Sequence, residues 1–493
     1  MRKAKRKALI EEEYLRLYKT CTNTNLYECT NGIQKLSKLN SYIRKATKSP
    51  IRISTMPDQK EKSPELKRTL GPLMLWGLGV GYVISGNYFG WNLGLAEGGT
   101  LGLAIATFFV IIMYITFTFG YTELACAIPK AGGLFDYATK ALGKKWGFLG
   151  GMAQIIEFTF APPAIAFGIG AYLHPFIPDV PILTIAIAAF FVFTALNIFG
   201  VEMAAMFELL VTIVAVAGLV LFAGVTLPHF EMSNLEVNSL PNGYAGIFAA
   251  IPFAIWFFLA IEGVANVAEE TVNPQRNVLI GFGSALLTLV VLCLFTFTTS
   301  IGVAGWEGIV YPSPGAEASD SPLPLALANA VGEGHIMYKV ISVIALFGLV
   351  ASFHGIILAA GRVTYQFGRT GYAPKALGSV HAKFKTPAKA LIINMIIGIL
   401  ALLTGKTGDI ITIACFGALT LYIVAMISLF ALRKNAPDME RPFKVPMYPA
   451  FPAIALIIAS VCLVAISIYN PMLAAIYFGL LAISYLWFHF FVA

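Results

Sequence analysis

Two glutamates and an asparagine stand in stretches of sequence that are otherwise apolar. Glu157 lies in Gln154-Ile155-Ile156-Glu157-Phe158-Thr159, and Glu262 follows Ala254-Ile255-Trp256-Phe257-Phe258-Leu259-Ala260-Ile261. Asn87 belongs to Ser85-Gly86-Asn87-Tyr88. An ionised carboxylate in hydrocarbon is costly, so acids kept there are candidates for function. Their chemistry is that of reception: together Asn87, Glu157 and Glu262 could take an ammonium group or a coupling proton. The competing structural roles are an interhelical hydrogen bond for Glu157 and a hinge for Glu262. Tyr88, Trp256 and Phe257 could close over a cation, at about 1–2 kcal/mol when desolvated, or simply pack. His354, in Ser352-Phe353-His354-Gly355, is, as Glu157 is, a candidate for proton coupling, against a neutral imidazole bonding nearby backbone. Glu123 and Glu208 lie near the inner ends of apolar runs, where capping and loop contacts account for them.

Other chemistries find no support. There is no HExxH, phosphate-binding loop or GxSxG, so an enzyme is not expected. Gly77-Leu78-Gly79-Val80-Gly81 follows no strand and sits within an apolar run, so it is no dinucleotide fingerprint. The six cysteines scatter, four of them in apolar segments. Cys21 and Cys29 in a polar stretch, and His174, His229, His335 and His381, form no metal spacing. No metal or cofactor is expected.

The elements that carry these residues must suit a chain in which 58% of 493 residues are hydrophobic and 12% charged. A soluble protein has about twice that charge. Apolar runs fall near 72–97, 100–127, 147–173, 181–200, 206–228 and 245–267, then near 278–303, 337–361, 388–405, 409–432, 452–470 and 472–492. Each can cross a hydrocarbon core of about 30 Å as a helix, the open-ended structure that satisfies its own backbone there. The period-two alternation of a membrane barrel is absent. The chain thus reads as an all-α membrane protein with twelve spans, and the polar, Gly-containing stretches in spans 1 and 6 suggest discontinuous helices around a midplane site.

Charge sets the orientation. With the N-terminus inside, 32 of the 34 Lys and Arg fall on the cytoplasmic side, leaving Lys339 and Lys406 outside. Both termini are therefore expected in the cytoplasm. The outer loop 304–336 holds Glu307, Glu317, Asp320 and Glu333 and no basic residue; it reads as an acidic vestibule that would enrich cations, or as a solvated loop. Residues 1–71 carry 17 basic and 7 acidic side chains. The chain accordingly divides into a basic tail, 1–70, and a membrane domain, 71–493. The tail reads as a disordered cytoplasmic extension, or as sequence upstream of a true start at Met56. A bilayer rather than nucleic acid is its expected partner.

Several segments carry a resemblance. Tyr121-Thr122-Glu123-Leu124-Ala125-Cys126-Ala127-Ile128-Pro129-Lys130-Ala131-Gly132-Gly133 resembles the end of helix 2 in amino acid–polyamine–organocation transporters. Ala268-Glu269-Glu270-Thr271-Val272-Asn273-Pro274-Gln275-Arg276 resembles their loop after helix 6. The stretches from Gly361-Arg362 to Thr386-Pro387, and Arg441-Pro442-Phe443-Lys444-Val445-Pro446, are similar to two further cytoplasmic segments. Within that superfamily, VISGNYFGWNLGL, EFTFAPPAIAFGIGAYL and AIWFFLAIEGVANVAEE resemble the ethanolamine permease family.

The resemblance implies two inverted five-helix repeats, spans 1–5 and 6–10, plus two peripheral helices, with span 1 unwound at Ser85–Tyr88 and span 6 at about Trp256–Glu262. It implies a substrate site of Ser85, Gly86, Asn87, Tyr88, Glu157, Trp256, Phe257, Ala260 and Glu262. In amino acid carriers of this superfamily the substrate carboxylate meets free N–H groups at the first break; here Asn87 stands where the last glycine would allow that approach. The expectation is a plasma-membrane secondary transporter importing ethanolamine or a close amino-alcohol. Its rivals are an amino acid permease of the same fold and a non-transporting nutrient sensor. Residues 206–228 contain no lysine of the kind some members place in helix 5. Proton coupling through His354 or Glu157, sodium coupling, exchange and uniport stay open.

Overall fold

The computed structural model describes residues 68–491 apart from 131 and 200–203. The expected tail, with Met56, Cys21 and Cys29, lies outside the described residues except for its last three positions. Among the described residues the chain is helical, without strands; one parallel bridge pairs Leu70 with Thr271.

The helices are α1 (Pro72–Val83), α2 (Ser85–Tyr88), α3 (Leu93–Ala127), α4 (Leu134–Leu142), α5 (Lys144–Leu173), α6 (Ile182–Phe199), α7 (Ala204–Thr226), α8 (Ser233–Glu236) and α9 (Gly243–Ala249). Then come α10 (Ile251–Trp256), α11 (Pro274–Val310), α12 (Pro322–Val331), α13 (Ile336–Thr370), α14 (Ala388–Leu402), α15 (Thr407–Asn435), α16 (Ala450–Tyr469) and α17 (Pro471–Phe491). Nine of the described helices are long and apolar enough to cross a membrane. The three remaining apolar runs take other forms, each for a local reason. The run 72–97 is interrupted after α1, the run 245–267 is interrupted after α10, and 388–405 yields the 15-residue α14.

The first interruption differs from the expected unwinding of Ser85–Tyr88. Those four residues form a helical turn, α2, separated from α1 by Ile84 alone. The ladder is broken because the Ser352 hydroxyl from α13 is inserted into it: it donates to the Gly81 carbonyl at 2.6 Å and accepts from the Ser85 amide at 3.0 Å. A hydroxyl placed in an i→i−4 ladder is a recognised cause of a kink. The helix path runs four residues further than expected, through Tyr88, and ends at Phe89, which is extended, followed by Gly90 at φ 85°. The second interruption falls within the expected span. α10 ends at Trp256, Ala260 adopts the left-handed conformation at φ 74°, and the chain continues as a 3₁₀ segment, Ile261–Glu270. A left-handed alanine costs roughly 1–2 kcal/mol, so surrounding packing must hold it.

Packing places both interruptions in the interior. α1 lies against α7, α11 and α13, while α10 lies against α3 and α15. α5 packs along α13 and α15. In the most apolar stretch of α15, 83% is buried, against 22% in α17; α15 belongs to the core, and α17 turns its apolar side chains outward as a lipid-facing helix would.

Candidate substrate site

The two breaks meet face to face. A Cβ at Gly86 would collide with the Trp256 carbonyl, so glycine there allows the backbones of the two broken helices to touch. The Trp256 indole N–H donates to the Phe89 carbonyl at 3.0 Å, and its ring meets Phe89 edge-on with centroids 5.6 Å apart. Phe257 stacks on Trp91 at 5.6 Å. Trp256 and Phe257 thus tie the end of α10 to the stretch after α2.

Glu157 and Glu262 arrive from different elements at one place. α5 carries Glu157, whose carboxylate lies beside that of Glu262 and the backbone at Ala260 on the second break. Gly417 on α15 allows this close packing, since a Cβ there would lie 2.8 Å from the Glu157 amide. The Tyr422 hydroxyl donates to Glu262 Oε2 at 3.2 Å and is 3.0 Å from the Tyr114 hydroxyl, which reaches the Ile255 carbonyl at 3.4 Å. This chain of hydroxyls connects α3, α10, α15 and the 3₁₀ segment.

The site has polar groups to spare. Asn87, Gln154, Glu157 and Glu262 have no measurable exposure. Yet both polar atoms of Asn87 and of Gln154, both oxygens of Glu157 and Oε1 of Glu262 have no hydrogen-bond partner. Buried polar groups are ordinarily satisfied, and two neighbouring carboxylates away from water repel each other. A cationic donor between them would relieve both conditions. The amides at the first break are the opposite case. Ser85 N–H donates to Ser352, Asn87 N–H to the Ile84 carbonyl, Phe89 N–H to the Ser85 carbonyl and Gly90 N–H to Asn92 Oδ1.

Two of the expected site residues are placed elsewhere. Tyr88 points away from the second break: its hydroxyl donates to the Ala215 carbonyl at 2.6 Å and its ring lies against Gly348. It fastens α2 to α7 and α13 because Gly348 leaves room for the ring, and it does not close over Glu262. His354, the other proton-coupling candidate, faces α7, where its Nδ1 lies 3.5 Å from Glu208 Oε2. Glu208 is therefore no helix cap but the partner of a buried histidine. Tyr114 and Tyr422 were not expected at the site, and Gln154, buried one turn before Glu157 on α5, was not singled out. Tyrosines in the middle of apolar helices, away from the interfaces where they are usually found, are the signal that could have singled out the first two.

Polar contacts bracket the site at either end. On the side of the expected cytoplasm, Glu270 pairs with Arg362 at 3.1 Å, and Thr69 and Leu70 donate to the Glu270 carbonyl while Val272 donates to that of Leu70. Glu123 is held by Arg433 through two bonds of 2.6 and 2.7 Å, by Arg441 at 3.4 Å and by the Val445 amide at 2.7 Å, in agreement with a loop-contact role. At the other end, Asn92 donates to the Ser319 carbonyl at 2.7 Å and Thr407 to Asp320 at 2.8 Å. Burial lifts the Asp320 carboxyl to about 6, with the Thr407 bond acting in the other direction. Asp320 is thus a strut between the outer loop and α15.

The long apolar helices, the paired interruptions and the buried polar cluster between them define an integral membrane protein of the helical transporter class. The chain belongs to the amino acid permease family, which it matches over residues 70–490. It is 27% identical to an uncharacterized transporter of Rhizobium meliloti, over 88% of this chain and 95% of that protein. It is 26% identical to the branched-chain amino acid permease BcaP of Bacillus subtilis, over 80% of this chain and 87% of that protein. With the methylthioribose transporter of the same organism it shares 27% identity over 82% and 89% of the two chains. These relatives are transporters, in keeping with the expectation of a transporter rather than an enzyme.

Proposed function

We propose that this permease imports ethanolamine or a close amino-alcohol across the plasma membrane by alternating access. Its twelve spans are read as two inverted five-helix repeats plus two peripheral helices, the runs 72–97, 245–267 and 388–405 completing the nine long helices. Both termini are placed in the cytoplasm. The substrate ammonium lies between Glu157 and Glu262, near the carbonyls at the end of α10, and Asn87 receives the hydroxyl. Trp256 and Phe257 close the outer side of the site.

The observation that carries this reading is the contrast between carboxylate oxygens left without a partner and amides that are engaged. Glu157 and Glu262 have acceptor capacity left over, which suits an amine. The amides of Ser85, Asn87, Phe89 and Gly90 are already bonded within the chain, which leaves a substrate carboxylate without those donors. A second reading, a neutral amino acid permease, is favoured by the branched-chain permease and by the serine/threonine exchanger SteT of Bacillus subtilis, 25% identical over 79% of this chain. Uptake of radiolabelled ethanolamine into proteoliposomes, competed with unlabelled alanine, serine, GABA or ethanolamine, separates the two. Competition by amino-alcohols alone supports the first reading; strong competition by amino acids replaces it with the second.

A further inference from the structure

A third irregularity lies in α5, on the turn that follows Glu157. Pro162 and Pro163 stand inside this helix. Proline has no amide hydrogen and cannot donate to the carbonyl four residues before it. The ladder of α5 therefore lacks its bonds to the carbonyls of Phe158 and Thr159. Both residues are in the wall of a small cavity between α5, α6, α13 and α14, together with Pro162, Thr194 of α6, Ile357 of α13 and Asn394 of α14.

The polar groups of that wall are short of partners. Thr159 and Thr194 are 4% and 3% exposed, and neither hydroxyl has a hydrogen-bond partner within the chain. A buried helical threonine ordinarily donates to a carbonyl one turn back. Thr116, Thr226 and Thr412 do so on their own helices; the two cavity hydroxyls forgo that bond. Asn394 donates to the Thr364 hydroxyl at 3.1 Å, and its carboxamide has a second N–H to give. The volume of the cavity, about 10 Å³ for the centre of a water molecule, is close to the roughly 10–15 Å³ that one water requires.

We infer that this cavity binds one structural water molecule, held by the Thr159 and Thr194 hydroxyls and bonded to the α5 backbone that Pro162 and Pro163 leave without donors. The bonding balances. The water accepts from two hydroxyls and donates to a freed carbonyl, which gives about the three bonds usual for a buried water. An ion is the poorer occupant: no acidic side chain stands in the wall, and removing a charge from solvent costs several kcal/mol. The cavity is also too small for an organic amine. Such a water turns the proline break into a fixed bend and joins α5 to α6 beside the turn that carries Glu157. It does so whichever substrate the protein carries.

The test uses the full chain purified in detergent. A density map fine enough to show ordered water should contain one peak within bonding distance of both hydroxyls; an empty cavity overturns the proposal without recourse to variants. Thr159→Val and Thr194→Val each remove one hydroxyl with little change of shape. Each should lower the melting temperature by about 1–3 °C. The double variant should fall no further than the worse single one, because both lose the same molecule. Additive losses mean that the hydroxyls act separately, and melting at or above wild type means that they hold nothing; either result overturns the proposal. Pro162→Ala returns an amide to the ladder and should shrink the loss caused by Thr159→Val, whereas an undiminished loss refutes the link to the proline break. A wild-type melting temperature that rises when sodium replaces choline, with no such rise in the double variant, would make the occupant an ion and overturn the assignment to water.

Discussion

The Ser352 hydroxyl donates to the Gly81 carbonyl at 2.6 Å, standing where one rung of the helix ladder would otherwise be. Because the same oxygen accepts from the Ser85 amide, a side chain of α13 is built into the backbone bonding of the first broken helix. Ser352→Ala removes both bonds and leaves a buried amide and carbonyl to find each other or go unpaired. The expected cost is about 1–3 kcal/mol, seen as a lower melting temperature in detergent. Ser352→Thr keeps the hydroxyl and should melt close to wild type; equal melting of all three proteins would show that the inserted oxygen contributes nothing.

Glu262→Gln should weaken substrate binding by about tenfold or more, as expected for the loss of roughly 1.4 kcal/mol or more of charge-assisted contact. Tyr422→Phe, which removes one hydrogen bond to that carboxylate, should have a smaller effect. Equilibrium binding of labelled substrate to purified protein measures both. Unchanged affinity in Glu262→Gln would remove that residue from the site.

Glu123 is 1% exposed and faces two arginines, of which Arg441 is itself 5% exposed. Glu123→Ala leaves buried positive charge without its partner, a change that commonly costs about 3–5 kcal/mol. Thermal unfolding should show a large drop. A shift no greater than that of a surface substitution would mean that the carbonyls around Arg441 suffice to hold it.

The outer strut gives a pH signature. Asp320 holds its proton up to about 6 in the folded chain, against an ordinary value of 3.8. The folded state therefore binds that proton more tightly than the unfolded state. The resulting contribution to stability is full below 3.8 and is lost as pH rises through about 6. Melting temperatures followed across that window should decline less steeply for Asp320→Asn than for wild type. Parallel profiles would contradict the assignment.

The sequence made some of this site legible and concealed the rest for physical reasons. Glu157 and Glu262 announce themselves because a carboxylate in an apolar run is expensive wherever it points. The interruption near Ala260 was foreshadowed by polarity and glycine at mid-run. Tyr88 was misread because its direction depends on room left by Gly348, more than two hundred residues on. Ser352 looks like any small polar residue until α13 brings it to Gly81. Glu208 and His354 each suggest a local role when read alone, and only the packing of α7 on α13 makes them a pair. Nine of the described helices announce themselves by length, whereas the interrupted runs do not, since a short helix carries too little apolar sequence to stand out on its own.

Leu70 and Thr271 are bridged in parallel, with the Glu270 carbonyl receiving two amides and the Leu70 carbonyl a third. This small patch of sheet-like bonding fastens the entry to α1 onto the exit from the 3₁₀ segment. Any inward opening that preserves it must swing both inner segments as one lever about one axis. A motion in which they part independently has to break the bridge first, so the bridge reduces two flaps to a single mechanical degree of freedom.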